Sequence, residues 1–218
     1  MLLYSQIIQY VLSGVTIGSV YAIIALGFNI IYNSTSIINF AQGEFVMLGG
    51  LTMIFFTVML KFPLVIGFPL TVLVLTLIGI IMERFTISPI KKPTVVTLII
   101  VTIAVSILFK GIAMLVWGKD THFLPPFSGE KGIAFMGASL NPQYIWVVGI
   151  TVVVVVLLSV FFKYTIIGKA MTACAVNRTA ASLMGINVKR MVLLSFVLSA
   201  AIGGIAGIIY SAYYPDGL

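Results

Sequence analysis

The sequence predicts an all-α, polytopic integral membrane bundle, and three observations carry that prediction. The 218 residues are 61% hydrophobic and only 8% charged, against about 25% charged residues in an ordinary soluble domain. Mean hydropathy is +1.23. The few basic residues collect in two breaks between long apolar runs, 83–93 and 163–190, as expected of cytoplasmic loops that fix the orientation of neighbouring spans.

Six spans follow, at 7–31, 45–60, 64–82, 94–117, 144–162 and 191–213, forming one transmembrane domain over 1–218. The first run is long enough to cross a hydrocarbon core of about 30 Å. It carries Gly14 and Gly18, a small-xxx-small spacing that lets a second helix approach closely. The stretch 32–50 is too polar for its surroundings and too apolar for an open loop. A broken or re-entrant segment there would hold Asn39, Gln42 and Glu44 inside the bundle. The plainer alternative is an interfacial loop with Glu44 in the first turn of the next helix, where its charge suits the dipole.

Lys61 to Pro63 reads as a tight turn before the third span. Glu83 and Arg84 end that span, and Pro89 and Pro93 keep 83–93 out of regular helix. The fourth span has Thr97, Thr102 and Ser106 as small polar groups. Its Lys110 is expected to snorkel towards an interface, the alternative being that it faces a pathway, and Trp117 is expected to anchor at the interface. The segment 118–144 balances its charges and belongs outside if the basic loops are inside. Its apolar run 133–136 suggests a strand of a small hairpin. In the sixth span Ser199, Gly203 and Gly207 recur every fourth residue and predict a close-packing face.

Between the fifth and sixth spans, 163–190 is basic without an acid and carries small and apolar side chains. That pattern suits a short interfacial helix presented to a partner. Charge leaves the side of the first residues open. It places them outside if 32–50 is a simple connection, and inside if that stretch completes a crossing.

The chemistry classes exclude more than they name. The net charge of +7 suits topology and anionic lipid rather than nucleic acid. The single cysteine, Cys174, and the single histidine, His122, supply no metal cluster, and no nucleophile, phosphate-loop or dinucleotide motif appears. Enzyme activity is not expected. Transport is the natural class, with an ion-coupled secondary transporter or a non-transport scaffold as rivals.

A resemblance sharpens this. The run from Gly18 to Tyr32, the run from Ile38 to Gly49, the Glu83-Arg84 turn, and above all Gly168-Lys169-Ala170-Met171 with Ala180-Ala181 and Leu183 to Val188 resemble the branched-chain amino acid ABC transporter permeases of the LivH type. The resemblance implies the ABC importer permease fold, and a subunit that works with a second related permease, two cytoplasmic ATPase subunits and an extracytoplasmic substrate-binding protein. ATP and Mg would bind the ATPases, so no cofactor is expected on this chain. Gly168, Ala170, Arg178, Ala180, Leu183, Met184, Gly185 and Asn187 would form the ATPase-coupling loop, and Asn39, Gln42 and Glu44 the permease core or translocation pathway. Close relatives within the family import urea or short amides, which is the nearest alternative substrate class. Gln42 stands where many members have histidine. Members also continue through further spans, so the resemblance implies a bundle truncated at its C-terminal side.

Overall fold

A computed structural model describes residues 2–36, 38–90, 94–120, 122, 124–128, 133–135, 138–140 and 142–213. Lys91, Lys92 and Pro93 of the first basic break, and Met136 and Asn141 of the 118–144 segment, lie outside the described residues. Among the described residues six helices are long and apolar enough to cross a membrane. They are α1 (Leu2–Thr35), α2 (Gln42–Ile54, prolonged by a π turn, Phe55–Met59), α3 (Leu64–Met82, prolonged by a π turn, Glu83–Ile87), α4 (Val95–Trp117), α5 (Pro142–Tyr164) and α8 (Val188–Tyr213). Between α5 and α8 lie α6 (Ile166–Val176) and α7 (Arg178–Leu183). Strands β1 (Ile133–Phe135) and β2 (Ala138–Leu140) form an antiparallel hairpin, with Phe135 opposite Ala138.

Each boundary has a local cause. Thr94 caps α4 by accepting the Thr97 N–H, Thr165 caps α6 through Gly168, and Asn177 caps α7 through Ala180, side-chain oxygens satisfying helix-end donors. Gly118 at φ +81° stops α4, and Gly185 at φ +82° follows α7, a backbone region in which glycine has no Cβ to strain. The helix α3 ends at Met82 with Glu83 as its C-cap, as expected, and the chain then stays helical to Ile87 as a π turn that buries the Glu83 side chain. One expectation is corrected here. The stretch 163–190 is two short helices rather than one, because Asn177 interrupts the first and starts the second.

The bundle is layered around two helices. In their most apolar windows α2 and α8 bury 56% and 61% of residues, against 22% for α1, α3 and α4 and 17% for α5. Small residues explain the close approach. A Cβ on Gly49 would lie 2.6 Å from the Gly204 carbonyl oxygen, and one on Gly203 would lie 2.7 Å from Phe45 Cβ. A Cβ on Gly207 would fall on the Val46 carbonyl oxygen. Phe45, Leu75, Phe196 and Ala200 fill the resulting core with no exposed surface, dense packing of the kind that drives helix association in lipid.

Gly14 and Gly18 behave differently. Both lie on an exposed face of α1, with open space where a Cβ would stand. No helix among the described residues uses that face, because α8 and α5 pack on the other sides of α1, through Val20, Ile23 and Ile30.

The end of α1 adds to the charge argument on sidedness. Its last turn, through Thr35, shares a cavity with Glu83, Leu98, Arg178 and Lys189, so the C-terminal ends of α1 and α3 and the N-terminal ends of α4 and α8 meet. That is the face of both basic breaks, the cytoplasmic face by the positive-inside rule. The N-terminal end of α1 is therefore extracytoplasmic.

Candidate functional site

The site is the link between α1 and α2. Gln42 opens α2 beside Gly27 of α1 and Ser199 of α8. Gly27 lies eight residues before Thr35, so α2 begins about 12 Å in from the end of α1 at a 1.5 Å rise per residue. The chain has turned back into the bundle before its second helix starts, which places polar side chains at membrane depth. Asn39, Gln42 and Glu44 are 2%, 4% and 6% exposed.

Such groups need internal partners, and two helices provide them. From α8, the Ser199 hydroxyl has two acceptors for its one proton, Gln42 Oε1 at 2.5 Å and the Gly27 carbonyl oxygen at 2.8 Å. The Gln42 amide N–H2 reaches the Ser199 carbonyl at 3.5 Å. From α4, Thr102, Ser106 and Lys110 lie four residues apart and form one polar stripe. Thr102 Oγ1 accepts from the Phe40 N–H at 3.3 Å. Ser106 Oγ donates to Glu44 Oε1 at 2.8 Å, and Lys110 Nζ lies 3.3 Å from the same oxygen.

The Lys110 side chain is largely exposed, as snorkelling requires, but its ammonium group also pairs with Glu44, inside the bundle. Neither it nor Glu44 has an evident partner in the sequence, yet each is the other's. Ser106 is eleven residues into a 23-residue helix, about half way along its length of roughly 34 Å. The Glu44 carboxylate therefore meets α4 about half way along a helix long enough to cross a membrane, and ionisable groups within such spans are functional candidates by default.

Asn39 is held on one side only. Its Oδ1 accepts from the Ala41 N–H at 3.1 Å, which fixes the amide orientation, and its Nδ2 has no partner among the described residues. Asn39 and Gln42 also border an open concavity of about 640 Å3 with Tyr21, Phe28 and Phe40.

The residues expected in the coupling loop are separate from this cluster. Leu183 and Met184 are 84% and 83% exposed, and Ala180, Gly185 and Asn187 are exposed beside them. Gly168 is instead buried where α6 turns under α5, with no room for a Cβ against Phe161 and Phe162. Ala170 is half-buried.

Arg178 has a more specific place. Its Nη2 donates to the Ser34 carbonyl oxygen, an acceptor in the last turn of α1 that the helix itself leaves unpaired. Ser34 Oγ in turn contacts Ser195 Oγ of α8. Burial pushes the Arg178 guanidinium below its ordinary range and the nearby Cys174 thiol above its own, each charge partly offsetting the other's shift. The Arg178–Ser34–Ser195 chain had no sequence signal beyond a serine near each helix end. The Thr102, Ser106 and Lys110 spacing was visible, but not what it faced.

Among the described residues no three His, Cys, Asp or Glu side chains come together as a metal-binding group. The arrangement is a polar cluster inside an apolar bundle with an exposed helical hairpin beneath it.

Comparison with known families gives the class of the chain. Residues 10–216 match the family described as branched-chain amino acid transport system / permease component. The chain belongs to this family. This permease is 31% identical to the high-affinity branched-chain amino acid transport system permease protein LivH of Escherichia coli K12, the match covering 95% of this chain and 71% of LivH. It is 30% identical to LivH of Salmonella typhimurium, with the same coverage. It is 27% identical to the high-affinity branched-chain amino acid transport system permease protein BraD of Pseudomonas aeruginosa, again over 95% of this chain and 71% of BraD. No solved structure matches the chain. The permease is a multi-pass membrane transport subunit.

Proposed function

We propose that this permease carries branched-chain or related hydrophobic amino acids across the cytoplasmic membrane as one half of an ATP-driven importer. The other parts are a second related permease, two ATPase subunits holding ATP and Mg, and an extracytoplasmic binding protein. One observation supports this above the others: a polar link holding Asn39, Gln42 and Glu44 at membrane depth, between α1, α4 and α8. A scaffold has no need of buried amides and an ion pair at that depth. An ion-coupled carrier would use paired carboxylates at its centre, whereas Glu44 is joined there by a lysine.

The exposed Leu183 and Met184 supply the apolar contact for an ATPase, and Arg178, Lys189 and Arg190 its basic margin. Arg178 joins that contact to the last turn of α1 and so to the link itself. In this arrangement a displacement of α7 reaches Gln42 through two hydrogen-bonded helix ends rather than through a flexible loop.

The decisive experiment is reconstitution of the chain with the four partner subunits in proteoliposomes. ATP-dependent uptake of labelled leucine is expected, with urea and acetamide as competitors. Uptake should fall to background when Leu183 and Met184 are both replaced by Asp, with the loss of ATPase co-purification. Uptake that is blocked by acetamide and indifferent to leucine would turn the assignment to the amide class.

A further inference from the structure

The Glu44–Lys110 pair does not fill the space around it. Lys110 is 60% exposed while Glu44 is 8% exposed, so the pair has a sheltered acid and an accessible base. The base borders a cavity of about 310 Å3 between α2 and α4, at the lower end of the range in which small-molecule sites fall. Its walls are Met47, Leu51, Ala113, Met114 and Trp117, which are apolar and, through the methionines, adaptable in shape. Lys119, Asp120 and His122 stand at the same cavity's edge, past the end of α4 and on the extracytoplasmic side. The cavity thus runs inwards from the end of α4 to Lys110, with Glu44 behind that side chain.

We infer that this cavity, together with the Glu44 carboxylate that lies behind Lys110 outside its wall, is a zwitterion-reading site, in which Lys110 swings to take the carboxylate of an aliphatic amino acid, Glu44 so uncovered takes its ammonium group, and Met47, Leu51 and Met114 take its side chain. The inference rests on the permease reading above and specifies where and how its substrate is read. Three features of the cavity converge on it. An ion pair separated by a zwitterion exchanges one set of opposite charges for two, so neither the buried carboxylate nor the exposed ammonium is left without a partner, whereas a neutral solute would have to compete with an intact pair. Ser106 keeps its hydrogen bond to Glu44 Oε1 and holds the carboxylate in place while Lys110 moves. The flexible four-carbon stem of lysine, unlike a rigid guanidinium, lets the charge swing to a carboxylate a few ångströms away.

The test is equilibrium binding of radiolabelled L-leucine to the purified chain in lipid nanodiscs, without the binding protein. Leucinamide, which lacks the carboxylate, and 4-methylpentanoate, which lacks the ammonium group, serve as competitors. Leucine should be bound, and each analogue should compete at least tenfold more weakly. Lys110→Met should weaken leucine binding at least tenfold, and Lys110→Arg by less. Because Lys110→Met strands Glu44, the double variant Glu44→Gln/Lys110→Met, whose neutral pair leaves no buried charge, is measured alongside with its melting temperature.

A double variant that melts like the parent and no longer binds leucine supports the site. Undiminished leucine binding by that variant overturns it, as does equal competition by leucinamide. If the parent chain binds no leucine in nanodiscs yet drives uptake in the assembled importer, the site is wrong and the permease reading stands. If uptake is absent as well, both fall.

Discussion

Single residues decide whether the polar link can exist inside the bundle. Ser199 is the sharpest case, because one hydroxyl serves both the Gly27 carbonyl and Gln42. Ser199→Ala leaves a buried amide short of a partner and is expected to cost about 1–3 kcal/mol, read as a lower melting temperature of the purified chain. Glycine positions give an opposed pair of expectations. Gly207→Ala drives a methyl group into the Val46 backbone and should destabilise by about 1–3 kcal/mol or more, while Gly14→Ala meets open space and should leave the melting temperature unchanged. Cys174 is 1% exposed, and burial raises its thiol above the ordinary range, only partly opposed by Arg178. The thiolate is the reactive form, so maleimide labelling of folded protein should be slow at pH 7 to 8, speed up only at higher pH, and become rapid at once in denaturing detergent. How far such roles were legible depended on their reach along the chain. Asn39, Gln42 and Glu44 stood out because polar residues are rare in so apolar a neighbourhood. Their partners did not, because Ser199 and Lys110 lie on other helices and no local pattern says which faces meet.

Elements were more legible than residues, for a physical reason. A span must be long and apolar to cross lipid, whatever it packs against, so the six runs read from hydropathy correspond to α1, α2, α3, α4, α5 and α8. Ends differed where hydropathy carries no information. The helix α1 runs on to Thr35, and α2 and α3 continue as π turns. The division of 163–190 into α6 and α7 was written in Thr165 and Asn177, residues that favour helix N-termini, but was obscured by treating the basic stretch as one unit. The Gly14 and Gly18 spacing shows the opposite limit: a small-residue pattern marks a face that can pack closely, and not whether this chain supplies its neighbour. At this scale Arg178 is the joint between two elements. Arg178→Ala should leave the bundle folded, since the contact is at its edge, and lower ATP-driven uptake several-fold more than ATPase binding. A parallel loss of both would make it part of the docking surface alone.

The whole molecule is an arrangement of two buried helices inside four that face outwards, and its sidedness follows from where α1 ends. A cysteine introduced near the N-terminal end of α1, at Gln6, should react with a membrane-impermeant thiol reagent from the extracytoplasmic side. One at Leu183 should react only from the cytoplasmic side. Reaction of both from one side would contradict the meeting of Arg178 with the last turn of α1.

The same arrangement sets an order of events during synthesis. The helix that holds Gln42 in place is among the last described parts of the chain to leave the ribosome, since Ser199 follows Gln42 by 157 residues. At about 5–20 residues per second that is a delay of roughly 8–30 s. Throughout it α2 has emerged with its amide and its carboxylate but without α8. Glu44 acquires Ser106 and Lys110 in less than half that time, so the ion pair forms first and can hold α2 against α4 until the last helix closes over it. Nascent chains stalled before Val188 should therefore expose α2 to insertion-machinery crosslinkers, and stalling before Ser106 should expose it more.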